Sequence, residues 1–228
     1  MTLEDYQNGQ VLLIDKPLNW TSFQVVNKIR WHIRQQFNIK KIKVGHAGTL
    51  DPLATGLLII CTGKFTKKIN EYQAQTKEYT GTITLGGSTP SFDLETEVEK
   101  EYSTNHITEE LISETTAQFI GEISQKPPIF SALKKDGKRL YEIARAGDTV
   151  EIKSRQVTVQ EFEITKVEMP KIDFRIVCSK GTYIRSIAND FGVAMQSGSH
   201  LSKLRRTKIG NFLASNSLEP LDYIEKYL

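Results

Sequence analysis

The chain has 228 residues, 39% of them hydrophobic and 25% charged, and its 30 basic and 27 acidic residues give a formal net charge of +3. This composition is typical of a globular protein, and ten Phe, eight Tyr and two Trp residues exclude a mainly disordered chain. No apolar run approaches the ~20 residues that span a bilayer, and the N-terminus lacks an apolar signal region. Cys61 and Cys178 form no C-x-x-C pair. The sequence therefore predicts a cytoplasmic protein with no membrane partner.

Hydrophobic periodicity and turn residues predict the following order of elements. The elements are a strand at Val11–Ile14, a helix that begins at Thr21, a glycine-rich loop at 45–56, strands at Leu57–Thr62 and Tyr79–Leu85, a helix capped by Thr108 and ended by Gly121, a short helix at Tyr141–Ala146, strands at Val157–Val167 and Lys171–Ser179, a helix at Thr182–Gln196, a strand at Leu204–Ile209 and a helix at Leu221–Leu228. Strands and helices without regular alternation predict an α+β fold, with a mixed or antiparallel sheet and no linker between domains.

The charges are unevenly distributed along the chain. Seven basic residues and no acidic residue lie between Lys16 and Leu50. Two further basic stretches lie at 126–139 and 175–208, and an acidic block at 93–101 separates the first stretch from these two. Each basic stretch alone is typical of a solvated surface, but three that converge in space would bind a phosphate backbone.

Motifs for several common chemistries are absent from the sequence. The four histidines and two cysteines have no zinc-ligand spacing. The phosphate-binding and dinucleotide-binding glycine motifs and the serine-hydrolase elbow do not occur either. Any activity is therefore expected to depend on ordinary side chains, without a metal or a cofactor.

The segment GHAGTLDPLATG at 45–56 is the strongest candidate for a catalytic loop. Its three glycines allow tight turns and a close approach to a ligand. Pro52 disfavours the α conformation for Asp51, which fixes the direction of that carboxylate. An ionised carboxylate held in one direction can act as a covalent nucleophile or a general base. The alternative is an Asp-Pro turn that only starts a strand.

This segment closely resembles the catalytic motif of TruB-type pseudouridine synthases, which convert the uridine at position 55 of tRNA. Five more blocks match that family in order. They are the DKP block ending at Pro17, the K-x-Y block at Lys77–Tyr79, the segment from Pro127 to Tyr141, and the C-terminal blocks CSKGTYIR at 178–185 and LRR at 204–206. The resemblance extends from about Gly9 to Ile209, which is nearly the whole chain.

The resemblance implies the pseudouridine synthase fold, with a mixed, mainly antiparallel central sheet, flanking helices and an inserted thumb that grips RNA. The implied catalytic domain covers 9–210, with the thumb at about 126–147. The remaining 211–228 would form a short helical extension, too short for the C-terminal PUA-like domain of longer relatives. Where many relatives read T-D-T-x-D, this chain reads Thr89-Pro-Ser-Phe-Asp93, so the first acid of that motif is replaced.

The resemblance also implies roles for individual residues. Asp51 would be the essential catalytic aspartate, paired with and oriented by Arg185. Tyr79 would stack on the flipped uracil beside the leaving proton. The substrate pocket would further include His46, Tyr183, Leu204, Lys16 and Pro17. No cofactor is implied.

The expected partner is the T stem-loop of tRNA, bound by a monomer. Candidate contacts to the RNA backbone are Lys16, Lys64, Lys134, Arg139 and Arg205. Two other functions stay open at this point. The first is an RNA-binding or tRNA-folding module whose catalysis is incidental or lost. The second is a glycosidase-like hydrolase, for which no convincing second acid lies near Asp51 in the sequence.

Overall fold

A computed structural model describes residues 1–131, 133–135, 137–146 and 150–228, and at 134, 135 and 139 it describes the backbone alone. The side chains of Lys134 and Arg139, two of the predicted RNA contacts, thus lie outside the described part, as does residue 147 at the end of the predicted thumb.

The elements have these bounds. The α-helices are α1 (Leu3–Asn8), α2 (Ser22–Gln36), α3 (Ile69–Ala74), α4 (Glu109–Gln118), α5 (Leu140–Arg145), α6 (Ile184–Ala194) and α7 (Pro220–Tyr227). Short 3-10 helices occupy Gly63–Lys68 and Ala214–Asn216. The strands are β1 (Val11–Lys16), β2 (Val44–His46), β3 (Ala54–Thr62), β4 (Lys77–Leu85), β5 (Gly87–Ser88), β6 (Lys100–Glu101), β7 (Gly121–Gln125), β8 (Lys134–Lys135), β9 (Lys138–Arg139), β10 (Arg155–Glu168), β11 (Lys171–Cys178), β12 (Ser199–Ile209) and β13 (Phe212–Leu213).

The chain forms two compact units. The first unit combines Met1–Tyr79 with Leu204–Leu228, and the second comprises Thr80–Lys203. The single catalytic domain at 9–210 stays a prediction.

In the first unit, strand β3 is the centre of the sheet. It pairs antiparallel with β1 and β2, and parallel with the Leu204–Arg206 part of β12. Residues 56–62 of β3 are all buried, which explains why the strand reads as a continuous apolar run. The predicted strand is confirmed, but it begins three residues earlier, at Ala54, because the residues before Leu57 already pair with β12.

Helix α2 covers this sheet and was predicted correctly. Thr21 caps it, and the side chain of Gln24 completes the capping box. Val25, Ile29 and Ile33, which with Phe37 recur every four residues in the sequence, are buried in the same core cluster as residues of β1 and β3, while Phe37 is the C-cap and packs against that cluster. The sequence therefore determines both the start of this helix and the face that it buries.

The second unit is built around β10, which pairs antiparallel with β11 and β7. The strand predicted at Lys171–Ser179 is confirmed, and burial alternates along it, with Ile172, Phe174 and Ile176 buried. Phe162 of β10 lies 5.7 Å, centroid to centroid, from Phe191 of α6 and forms an aromatic core with it.

Two predicted boundaries in this unit were wrong. Helix α4 ends at Gln118 with Phe119 as its C-cap, and Gly121 instead opens β7 with a φ of 100°. Strand β12 begins at Ser199, five residues before the predicted start, because Ser, His and Ser at 199–202 give no apolar signal.

The fold class is nevertheless as predicted. Apart from β3 with β12, the pairings named above are antiparallel, and helices alternate irregularly with strands. Among the described residues, no helix is both long enough and apolar enough to span a membrane.

Candidate active site

The loop that carries Asp51 is fixed by backbone hydrogen bonds. The amide of Ala54 donates to the Asp51 carbonyl at 3.1 Å, and the amide of Asn19 donates to the Pro52 carbonyl at 2.8 Å. Leu50 and the Ser22 hydroxyl exchange two further hydrogen bonds, at 2.8 and 3.1 Å, so the loop is bound to the first turn of α2. The half-buried Asp51 therefore stands on a well-ordered backbone.

Lys16 also binds this loop. Its side chain is fully buried, and its Nζ donates to the carbonyls of Pro17 at 2.9 Å, Trp20 at 2.6 Å and Pro52 at 3.3 Å. Lys16 was predicted as a candidate contact to the RNA backbone, but its side chain is buried and its three donors bind backbone oxygens. Lys16 is instead placed to position the Asp51–Pro52 turn.

Burial also changes the acidity of Lys16. Desolvation lowers the pKa of Lys16 from 10.5 to about 8, and the negative charge of Asp51 opposes part of this shift. The Lys16 ammonium and the Asp51 carboxylate are therefore close enough to attract each other.

Replacing Lys16 with methionine is expected to reveal this titration in the stability of the protein. Between the folded pKa of about 8 and the ordinary value of 10.5, the unfolded chain holds more protons than the folded chain. The wild type should therefore gain unfolding free energy relative to Lys16→Met as the pH rises through this window, by up to about 1.4 kcal/mol per pH unit. Urea unfolding of both proteins from pH 7 to pH 10 measures the difference. A difference independent of pH would contradict the assignment.

Arg206 binds the same loop at residues that precede Asp51. Its side chain is buried, and the guanidinium donates to the carbonyls of Leu57 at 2.8 Å, Gly48 at 3.1 Å and Thr49 at 3.5 Å. Its own backbone packs on Gly56, where an added Cβ would lie 2.3 Å from the Arg206 carbonyl oxygen. Sequence reasoning gave Arg206 no role, because a charged residue in a strand predicts a solvent-facing position rather than a buried one.

His46 lies on β2, opposite Ile60 of β3. Burial and the nearby positive charge of Arg206 lower the pKa of His46 below its usual 6.5. The imidazole is therefore neutral at pH 7. A neutral ring suits contact with uncharged bases better than with phosphates.

Four other predicted residues of the first unit occupy four different places. Leu204 is half-buried and pairs with Ala54, so it lies beside the Asp51 loop. Arg205 forms a bidentate ion pair with Asp15, at 3.0 and 2.5 Å. Tyr79 is buried in β4, and the exposed Lys64 follows the far end of β3.

In the second unit, Arg185 is buried and its guanidinium is bound by two separate segments of the chain. Nη1 donates to the Ser91 carbonyl at 3.0 Å and Nη2 to the Phe130 carbonyl at 2.9 Å, while Nε lies 3.6 Å from the Asp93 carboxylate. Asp93 is the acid that the sequence shares with the family motif. The Ser91 carbonyl and the Asp93 carboxylate, both from the segment that matches this motif, thus lie beside Arg185.

Tyr183 is the N-cap residue of α6 and is half-buried. The Gln125 side chain accepts from its amide at 2.8 Å and donates to its carbonyl at 2.9 Å. The Arg155 guanidinium lies 4.6 Å from the ring centroid, in a cation–π contact. One face of the Tyr183 ring is therefore in contact with a cation.

The chain is similar to proteins of known family. A family model described as "TruB family pseudouridylate synthase (N terminal domain)" matches residues 34–184. A tRNA pseudouridine synthase B from Flavobacterium johnsoniae is 65% identical over 220 residues, which cover 96% of each chain. Its counterpart from Phocaeicola vulgatus is 57% identical over 207 residues, which cover 91% of this chain and 88% of the relative.

Two solved structures share the fold. A Cbf5–Nop10–Gar1 complex contains a chain with a TM-score of 0.73 and 30% identity, matched over 100% of this chain and 57% of that one. A chain in an H/ACA RNP bound to a substrate RNA containing 2′-deoxyuridine has a TM-score of 0.69 and 28% identity. The match covers 97% of this chain and 54% of that one. The chain thus spans just over half the length of the matched chain in each of these structures.

Proposed function

The chain belongs to the TruB family of pseudouridylate synthases, and on this premise we propose that it converts the uridine at position 55, in the T-loop of tRNA, to pseudouridine. The observation that carries the proposal is the Asp51 loop, which two buried cations bind through its carbonyls, Lys16 at Pro52 and Arg206 at Gly48 and Thr49. Uridine isomerisation in tRNA follows from the family, and the position and the residue roles are our proposal.

The reaction needs a carboxylate in a fixed place. The N1–C1′ bond of the nucleotide breaks, the uracil turns, and a C5–C1′ bond forms, while C5 loses a proton and N1 gains one. Asp51 either attacks the nucleotide covalently or removes a proton from its ribose. In both paths its oxygen must reach one sugar atom, and the hydrogen bonds at Leu50, Pro52 and Ala54 keep the loop from drifting.

The aromatic and apolar residues would receive the target base. A base inside a stacked loop must be flipped out before its glycosidic bond can be reached. Stacking on an aromatic side chain contributes about 1–3 kcal/mol per base, which offsets much of the cost of extrusion. We assign Tyr79 to this stacking, Tyr183 and Leu204 to other contacts with the base, and the neutral His46 to the space that the flipped nucleotide leaves.

Arg185 is proposed to orient the Asp51 carboxylate. A guanidinium presents its donors in a fixed plane and so can define the direction of a carboxylate, which a lysine ammonium does not. The contacts of Arg185 with the carbonyls of Ser91 and Phe130 restrict its own position.

Chemical mapping of an unmodified tRNA transcript tests the proposed position. Incubation with the purified protein is expected to convert uridine 55 and no other uridine, and the isolated T stem-loop should also be converted. A transcript with cytidine at position 55 is the matched control and should gain no pseudouridine. Modification at another position would overturn the proposed site, and binding of tRNA without any conversion would favour an RNA-binding module instead.

A further inference from the structure

A basic groove lies at the C-terminal end of α2, outside the Asp51 loop. It has a volume of about 520 Å³ and is lined by Ile42 and five cationic residues, namely Arg30, Arg34, Lys40, Lys41 and Lys43. We call it the α2 groove. These five cations belong to the basic stretch at 16–50, and none of the roles proposed above for individual residues involves them.

The segment that follows α2 directs its lysines outward. The amide of Ile39 donates to the Arg34 carbonyl at 3.1 Å, which folds the chain back on the helix end. Ile39 and Ile42 pack on the core of the first unit, while Lys40, Lys41 and Lys43 are exposed. The apolar contacts thus hold the backbone and leave the three ammonium groups in solvent around one groove.

These cations are not balanced by carboxylates. Among the described residues, no acidic side chain lies within 4 Å of a charged group of the α2 groove, and the sequence from 16 to 50 contains no acid. The helix C-terminus favours a nearby cation such as Arg34, but this effect falls off within the last turn. Five like charges around one groove repel each other, and a polyanion would relieve that repulsion.

An exposed aromatic residue on the helix that carries Arg30 and Arg34 favours a nucleic acid over other anions. Trp31 follows Arg30 on α2 and is 53% exposed. Exposed aromatic rings next to cations are typical of surfaces that contact both bases and phosphates of single-stranded segments.

Two elements place the groove far from Asp51. Gly63, just beyond β3, donates its amide to the Lys43 carbonyl at 2.9 Å, whereas Asp51 lies at the opposite end of β3, bonded to Ala54. The nine residues of β3 span roughly 26 Å at about 3.3 Å per residue. Helix α2 gives a similar separation, since Ser22 at its start contacts Leu50 and its fifteen residues are about 22 Å long.

We propose that the α2 groove binds the phosphodiester backbone of the substrate tRNA outside the T stem-loop. The proposal rests on the proposed function. A separation of roughly 26 Å corresponds to about eight base pairs at the 3.4 Å rise of a DNA duplex, and to more in an RNA duplex, which rises less per pair. RNA seated with its target nucleotide at Asp51 therefore reaches the groove only with a part of the molecule well removed from the reacting loop.

The test uses a variant in which Lys40, Lys41 and Lys43 are all replaced by glutamine. Binding of full-length tRNA and of the isolated T stem-loop is measured for this variant and for the wild type. For a full-length tRNA transcript, the dissociation constant is expected to rise at least about tenfold, and the slope of log affinity against log salt to become shallower by about two. For the isolated T stem-loop, affinity and the rate of conversion should stay within about twofold of the wild type. Unchanged conversion of the stem-loop also shows that the variant is folded.

A second variant controls for the loss of net charge. Lys166, Lys171 and Lys226 are exposed and lie outside the groove, and their replacement by glutamine removes the same charge. This control should bind full-length tRNA like the wild type. Equal loss of affinity for both RNAs, loss for neither, or the same loss in the control would overturn the proposal. Stem-loop RNA that the wild type itself does not convert would instead contradict the proposed function.

Discussion

Replacement of Asp51 by asparagine is expected to abolish pseudouridine formation while tRNA binding and folding persist. Asparagine has the size of aspartate but has neither the charge nor the nucleophilicity of a carboxylate, so neither of the two proposed paths can proceed. The backbone hydrogen bonds of Ala54 and Asn19 do not involve the Asp51 side chain and should hold the loop in place. We expect the single-turnover rate to fall at least about 10³-fold.

Release of tritium from uridine labelled at C5 measures this rate directly, since C5 loses its proton when it bonds to C1′. Binding is followed separately by filter retention of labelled tRNA. Asp222, an exposed residue in the first turn of α7, provides a matched control, and Asp222→Asn should behave like the wild type. An Asp51→Asn protein that keeps more than a tenth of the rate would refute the catalytic assignment.

The sequence predicts the elements whose signal is local. The capping box at Thr21 and the four-residue spacing of Val25, Ile29 and Ile33 determine α2 without reference to the rest of the chain. The first residues of β3 and β12 have no such signal. Ala54 and Thr55 are strand residues because they pair with Leu204 and Arg205, about 150 positions away along the chain, and periodicity carries no information about that pairing.

In the candidate site, too, the sequence identifies some residues and does not reveal the function of others. Asp51 stands out because glycines and a proline surround it, and the resemblance to a known family then supplies a role. The functions of Lys16 and Arg206 could not be predicted, since charged residues are rarely fully buried and a sequence does not reveal which carbonyls they would bind. The signal that could have identified them is their place in the DKP and LRR blocks. The structure shows that both blocks bind the loop that lies between them in sequence.

Replacement of Arg206 by methionine is expected to have the largest effect on stability. Methionine fills a similar volume but leaves the carbonyls of Gly48, Thr49 and Leu57 without a charged donor. Hydrogen bonds from charged groups contribute about 1.5–3 kcal/mol each, and buried acceptors without a partner are costly. We expect the free energy of unfolding to fall by about 2–4 kcal/mol, and the rate of pseudouridine formation to fall about tenfold or more in protein that is still folded.

The neighbouring arginine makes this prediction specific. Arg205 pairs with Asp15 at a partly exposed position, so Arg205→Met should lower the unfolding free energy by less than about 1 kcal/mol. Urea unfolding of both variants measures stability, and single-turnover kinetics well below the unfolding midpoint measures activity. If Arg206 positions the Asp51 loop, its replacement lowers the rate constant of the bound complex more than it weakens tRNA binding. Equal stability of the two variants, or an Arg206→Met protein with the full rate, would show that the loop keeps its geometry without this buried cation.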